Sequence, residues 1–171
     1  MTMDDAAESL DATAQAARNQ ATIERLYGGL AAHDGEAMAA CYASGATFTD
    51  PVFVDLHDGE PQDMWRMLTG RAGDMTVELV SHDATGDGRG TANWVATYVF
   101  SATGNRVVND VQSVFQFNAD GLIVDQQDDF DFWRWARQAL GRTGLLLGWT
   151  PVLLHRVRDR SKGQLAAFRD R

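Results

Sequence analysis

The sequence has one cysteine, three prolines and no long uninterrupted apolar run among its 171 residues. The single thiol, Cys41, cannot form an internal disulfide, which excludes a disulfide-stapled secreted domain and fits a reducing cytoplasm. The longest apolar stretch, residues 145–154, is interrupted by Gly148, Thr150 and Pro151. It is too short to span a bilayer, which takes about 20 residues. The first 19 residues also lack the basic start and apolar run of a signal peptide.

Basic residues are scarce outside the C-terminal segment, and the net charge is −9. Residues 132–171 hold nine of the fifteen lysines and arginines and only two acids, so this segment carries +7 and residues 1–131 carry −16. The acidic body repels phosphates, which argues against nucleic acid as a partner. The basic segment has three candidate counter-surfaces: an anionic membrane, an acidic partner, or the acidic body itself.

The apolar residues, 44% of the chain, are enough to build a real core and follow two periods. Helical spacing predicts helices over residues 21–33, 35–42, 60–70 and 132–140, and a last helix from Pro151. Alternation and turn sequences predict a short strand over 46–49 and four longer strands over 75–82, 91–101, 106–118 and 121–129. Helices followed by a run of hairpins are typical of an α+β domain.

The strand over residues 91–101 is apolar on both faces, because Trp94 and Tyr98 alternate with Val95 and Val99. This pattern favours a sheet covered by helices on one side and lining a cavity on the other. We therefore predict a cone-shaped, curved antiparallel sheet packed with the N-terminal helices, plus a C-terminal helical extension. The predicted units are a helical or flexible arm over 1–19, a domain over 20–131 and a basic amphipathic helical extension over 132–171.

Three segments carry a family resemblance: residues 30–34 (LAAHD), 42–51 (YASGATFTDP) and 115–124 (FQFNADGLIV). The first two are similar to the opening of the nuclear transport factor 2-like fold, and the third is similar to its last hairpin. The resemblance covers residues 20–131 and implies the cone fold and a homodimer. The group includes ketosteroid isomerases, limonene epoxide hydrolases, scytalone dehydratases, SnoaL-like polyketide cyclases and non-catalytic members. The fold alone therefore does not fix the function.

The resemblance implies site residues as well. An Asp-Pro pair holds the general base of ketosteroid isomerases, and this position matches Asp50. Their oxyanion-hole tyrosine aligns with Leu26, with Tyr27 next to it, and their protonated aspartate aligns with Ser113. Both donors are thus altered, which argues against a steroid isomerase of standard mechanism. SnoaL-like cyclases use a carboxylate on the last strand. Here alternation puts Asp128 on one face with Gln126 and Phe130, and the alignment implies that this face lines the cavity.

A carboxylate in an apolar pocket has a raised pKa and exchanges protons near neutral pH. We therefore predict Asp50 and Asp128 as catalytic residues. The predicted substrate-binding residues are Tyr27, Trp94, Tyr98, Asn109, Ser113, Phe115 and Phe130. Simpler interpretations stay open: Asp50 as a turn former, Asp128 as a cap of the next helix, and Trp94 and Tyr98 as core residues. No histidine pair has the spacing of a metal site, and no cofactor is implied.

The extension would expose a large apolar patch if it did not pack against another surface. The residues of this patch are Trp133, Trp135, Leu145, Leu146, Leu147 and Trp149. They can close the cone, enter a dimer interface, or lie on a membrane with Arg156, Arg158, Arg160 and Lys162 toward the headgroups. We favour docking within the protein or dimer. The sequence thus supports two hypotheses: a small-molecule enzyme of the isomerase, cyclase, dehydratase or epoxide hydrolase type acting on an apolar oxygenated substrate, and a non-catalytic binding or assembly protein.

Overall fold

The structure is a computed structural model that describes residues 3–147 and 150–171. Its helices and strands, in chain order, are α1 Met3–Ala31, α2 Gly35–Ala39, β1 Tyr42–Thr49, α3 Glu60–Thr69, β2 Thr76–Ala84, β3 Arg89–Phe100, β4 Asn105–Phe117, β5 Ile123–Asp129, α4 Phe132–Leu140, α5 Arg142–Leu147 and α6 Pro151–Arg169. Helices in both halves and one five-stranded sheet make an α+β fold, as predicted.

The sheet has the order β1-β5-β4-β3-β2. The pairs among β2, β3, β4 and β5 are antiparallel, as expected. The strand β1 is different because it lies parallel to β5, so the sheet is mixed. The connection from β1 to β5 runs through α3 and three strands, which is long enough to return the chain in the same direction. Extra residues in β2 and β5 shift the register of the ladders, and such bulges bend a sheet.

The helix α1 covers the concave face of the sheet. Ile23, Leu26, Tyr27 and Leu30 are buried at helical spacing against it. Polar side chains also fix the helix to two hairpin loops, since Asn19 donates to the Thr85 carbonyl at 3.0 Å and Gln15 donates to the Asn118 carbonyl at 3.1 Å. Residues 3–19 continue this same helix, so the boundary between an arm and the domain at residue 20 stays a prediction.

The C-terminal extension packs against the body at two places. Trp135, Ala136 and Ala139 of α4 form a second small core with Val107 of β4. The helix α6 buries Leu165 in the main core and packs on α3. Trp133, Leu145 and Leu146 are exposed, while Trp149 and the side chain of Leu147 lie outside the described residues. The extension is thus docked, with part of its apolar surface left open.

Candidate active site

Asp128 lies on β5 and points into the concave side of the sheet, as the resemblance implied, and it shares this face with Gln126. Its side chain is 7% exposed, whereas the neighbouring Gln127 and Asp129 are exposed. Burial raises its pKa from the ordinary 3.8 to about 7, although hydrogen bonds from Ser113 and Gln126 favour the charged form. The adjacent Asp50 charge raises it further. Asp128 therefore exchanges protons near neutral pH. It does not cap α4, because Asp131 does so by accepting from the Arg134 N–H at 2.9 Å.

One chain of hydrogen bonds reaches Asp128 through Gln126. The Trp65 indole donates to the Tyr42 hydroxyl at 2.6 Å, and this hydroxyl donates to Gln126 Oε1 at 2.5 Å. Gln126 Nε2 then donates to Asp128 Oδ1 at 2.9 Å. Because an indole N–H can only donate, Trp65 fixes the direction of every bond in this chain. The chain presents an N–H to Asp128 and thereby favours its carboxylate.

A second chain reaches Asp128 through Ser113, its cross-strand partner on β4. The Trp94 indole donates to Ser113 Oγ at 3.0 Å, and Tyr27 Oη lies 2.7 Å from the same oxygen. With Trp94 and Tyr27 both donating, the single Ser113 proton remains for Asp128. Burial, with the nearby Asp128 charge, raises the pKa of Tyr27, so this phenol stays protonated. Tyr27, the residue next to Leu26, which aligns with the oxyanion-hole tyrosine, thus supplies a hydroxyl to the site.

Asp50 follows β1 and is only partly buried, at the edge of the site. Its carboxylate accepts the backbone N–H groups of Val52, at 2.6 Å, and of Phe53, so the turn-former interpretation describes it correctly. Even so, burial raises its pKa from 3.8 to about 6, against these two hydrogen bonds and the charge of Arg158. Asp50 therefore stabilises the turn and can also exchange a proton.

The two carboxyl groups interact electrostatically, because the charge of Asp50 raises the pKa of Asp128. The same Asp50 charge, after burial, raises the pKa of Tyr98. Two interacting acids release their protons in two steps that belong to the pair. Asp50, at about 6, ionises before Asp128, at about 7. Near neutral pH the site thus holds one carboxylate and one group that keeps a proton much of the time.

The other predicted binding residues lie around these acids at different depths. Phe115 is buried and packs edge-on against Tyr27. Tyr98 accepts a hydrogen bond from the Trp135 indole at 2.8 Å and is partly buried, as are Phe130 and Asn109. Phe130 contacts both cores. Asn109 shares the inward face of β4 with Ser113.

Four residues of the site were not among the sequence candidates: Gln126, Tyr42, Trp65 and Arg158. Gln126 carried a usable signal, because it shares the inward face of β5 with Asp128. Tyr42 reaches this site because β1 begins there, four residues earlier than the predicted strand. Arg158 donates to the carbonyl of Pro51 at 2.9 Å across 107 residues, a contact that no sequence pattern indicated.

Among the described residues no metal-binding cluster is found, and the surface clefts do not include the two acids. Within residues 3–147 and 150–171, no cluster of three His, Cys, Asp or Glu side chains suits a metal ion. Nor does any helix in this part of the chain have the length and apolarity to cross a membrane. Two surface clefts, of about 460 and 390 Å³, are lined by residues around α3 and by the loops beside α1. Neither cleft includes Asp50 or Asp128.

Comparison with known proteins agrees with this architecture. The family model of the SnoaL-like domain matches residues 23–126. Among solved structures, an LEH-like epoxide hydrolase of M. tuberculosis has the same fold with a TM-score of 0.60. The two are 20% identical, and the match covers 82% of this chain and 98% of that chain. No curated protein matches the sequence. At this identity the likeness shows the fold, and it confirms the predicted cone-type architecture.

Proposed function

This chain belongs to the SnoaL-like domain family, and we propose that it is an enzyme that moves protons with Asp50 and Asp128 on a small apolar oxygenated molecule. One observation carries the proposal: burial raises the pKa values of two carboxyl groups, to about 6 for Asp50 and about 7 for Asp128, and the Asp50 charge adds to the rise at Asp128. Carboxyl groups with no role in proton transfer are normally exposed or paired, and their pKa values stay low.

The two acids take different roles because their pKa values differ. Asp50, the more acidic group, is the base that removes a proton from a carbon or from water. Asp128, the less acidic group, is the acid that delivers a proton to the substrate oxygen. One proton enters the pair at Asp50 and one leaves it from Asp128, so the proton count of the pair is unchanged, and transfer of a proton from Asp50 to Asp128 restores the starting state. This balance suits isomerisation, dehydration, aldol cyclisation and epoxide hydrolysis, and it requires no cofactor.

The substrate side is supported by the environment of the acids. Asp50 is partly exposed and Asp128 is buried, so we place the entrance to a pocket at Asp50. Trp94, Phe115 and Phe130 give this region an apolar wall, which favours a largely hydrocarbon ligand. Asn109 and Tyr98 are the polar groups that we expect to meet the ligand oxygen.

The test is the pH dependence of turnover over a panel of epoxides, β-hydroxycarbonyl compounds and β,γ-unsaturated ketones. We expect kcat/KM to be highest between about pH 6 and about 7. Below this window Asp50 is protonated and cannot accept a proton, and above it Asp128 has lost the proton it must donate. Each limb falls about tenfold per pH unit. A flat profile between about pH 5 and 9 for a turned-over substrate would exclude the assigned pair.

A second candidate, a non-catalytic binding or assembly protein, is favoured by the internal pairing of the polar groups. Trp94 and Tyr27 both bond to Ser113, and Trp65 bonds to Tyr42, so these donors already have protein partners. This candidate predicts that no panel compound is turned over. It also predicts that an apolar ligand binds equally well to the wild type, Asp50→Asn and Asp128→Asn, which calorimetry measures directly.

We also propose a homodimer located in the cytoplasm. The exposed side chains of Leu145, Leu146 and Val152 offer an apolar surface on the extension, which a second copy can cover. Analytical ultracentrifugation is expected to give twice the monomer mass. A monomer that sediments with anionic vesicles in a salt-reversible manner would instead favour the membrane alternative for the extension.

A further inference from the structure

Arg158 lies on the inward face of the helix α6, where its charged side chain is only partly hydrated. The inward stripe of α6 consists of Leu153, Leu154, Val157, Arg158, Ser161, Gln164, Leu165 and Phe168, which are partly or fully buried. Arg156, Arg160 and Lys162 are exposed on the opposite side. Long basic side chains usually keep their charged end in water, so an arginine within an apolar stripe needs a partner.

The partner of Arg158 is the turn that holds Asp50. Arg158 Nε donates to the Pro51 carbonyl at 2.9 Å. This turn closes on itself, because the Asp50 N–H donates to the Phe53 carbonyl at 2.7 Å while the Asp50 carboxylate accepts from Val52 and Phe53. The Pro51 carbonyl points out of the turn toward α6. The guanidinium thus joins the C-terminal helix to the residue directly after the proposed base.

The remainder of α6 is anchored independently of this contact. Leu165 is buried in the main core. At the far end, Arg169 lies 3.2 Å from Glu60 and 3.1 Å from Asp63, both on α3, and donates to the Asp58 carbonyl at 2.8 Å. Since α6 is held at these points, a change at Arg158 is expected to alter the Asp50 turn while the helix stays docked.

We propose that Arg158 is a positioning residue that ties α6 to the Asp50 turn and keeps a cation beside the Asp50 carboxyl. The C-terminal extension is then part of the site, and the basic charge of its inward face acts on the base. The effect on turnover rests on the proposed function. The effect on the Asp50 carboxyl does not, because it is a property of the folded protein.

Three groups from different elements act electrostatically with Asp50: Arg158 on α6, Asp128 on β5 and Tyr98 on β3. The Arg158 cation favours the Asp50 carboxylate, and an Asp128 carboxylate opposes it. Removing the cation should therefore raise the pKa of Asp50. At pH 6 less of the base would be ionised, and turnover would fall there more than at higher pH.

The experiment follows Asp50 by carboxyl ¹³C NMR titration in full-length protein, with Asp50→Asn to assign the signal. Arg158→Met is expected to raise the Asp50 pKa by about half to one unit, because the charge is lost from a partly solvated site. Arg158→Lys should restore most of this shift. Arg160→Met, which removes the same charge from the exposed face, should leave the titration unchanged. Equal titration curves for Arg158→Met and Arg160→Met would overturn the proposal.

The kinetic readout is independent of the titration. For a turned-over substrate, Arg158→Met should shift the acid limb of kcat/KM to higher pH and lower kcat/KM about two- to fivefold at pH 6, with recovery above pH 7. If Asp50→Asn keeps full activity, the proposed function fails, while the NMR shift still decides the role of Arg158. If Arg158→Met does not fold by circular dichroism, Arg158→Gln, which keeps an N–H donor without charge, replaces it in the same titration and is expected to give the same rise.

Discussion

Asp128→Asn is expected to raise the free energy of unfolding at pH 8 by about 2–3 kcal/mol relative to the wild type. In the unfolded chain this carboxyl ionises near 3.8, whereas burial raises its pKa in the folded protein to about 7. Each pKa unit corresponds to 1.36 kcal/mol, so the buried carboxylate costs about 4 kcal/mol above pH 7. An amide avoids this cost, but it loses the oxygen that accepts from Ser113, which reduces the gain.

The sign of the effect follows from the protons bound. Between pH 3.8 and about 7 the folded protein keeps the Asp128 proton and the unfolded chain has lost it. The contribution of Asp128 to stability therefore falls as pH rises through this window. Below it both states are protonated, and the advantage of Asp128→Asn should disappear.

Urea unfolding at several pH values from about 4 to 8 measures this difference. Asp129→Asn is the matched control, because Asp129 is the next residue of β5 and its side chain is exposed. It should change stability by less than about 0.5 kcal/mol at every pH. A loss of stability for Asp128→Asn at pH 8 would contradict the raised pKa and with it the role of this group as an acid.

The same substitution, and Asp50→Asn, are each expected to lower kcat by about 10²–10⁴-fold on any substrate of the enzyme. Asparagine matches aspartate in size but neither gives nor takes a proton under these conditions. Asp50→Asn should also remove the acid limb of the pH profile, and Asp128→Asn the basic limb. Loss of one limb in each variant would assign the base and the acid separately.

Steady-state kinetics of both variants, beside Asp55→Asn and Asp129→Asn, provides the measurement. Asp55 and Asp129 are exposed neighbours of the two acids, so their variants should keep wild-type rates. Circular dichroism would show that all four variants fold. Full activity in both Asp50→Asn and Asp128→Asn would contradict the enzymatic proposal and leave the binding protein as the explanation.

The sequence predicted the features that depend on local pattern. Alternation grouped Asp128 with Gln126 on one face of its strand, and the order of helices and hairpins predicted the α+β class. The acid that caps α4 is Asp131 and not Asp128. The catalytic roles of Asp50 and Asp128 stay predictions, although both acids do have raised pKa values.

The features that the sequence did not predict depend on contacts between distant parts of the chain. Tyr42 bonds to Gln126 across 84 residues, and this contact exists only because β1 lies parallel to β5. Periodicity identifies the face of a strand but does not identify its neighbour. Arg158 is a further case. The sequence grouped it with Arg156, Arg160 and Lys162 on one basic face, whereas in the structure it is partly buried and donates to the Pro51 carbonyl.

The two tryptophans that end the hydrogen-bond chains also limit where protons can travel. A proton moves along such a chain only if every member can both give and receive one, and an indole N–H cannot receive. The routes from Asp128 through Tyr42 and through Ser113 to these indoles are therefore closed to proton conduction. The Ser113 route also reaches the Tyr27 hydroxyl, but burial raises the pKa of this phenol, so it keeps its proton. In the proposed function, Asp128 therefore recovers its proton from the side of Asp50. An acid with no proton route through the protein interior is suited to reactions in which the proton taken from one atom of a molecule is returned to another atom of the same molecule.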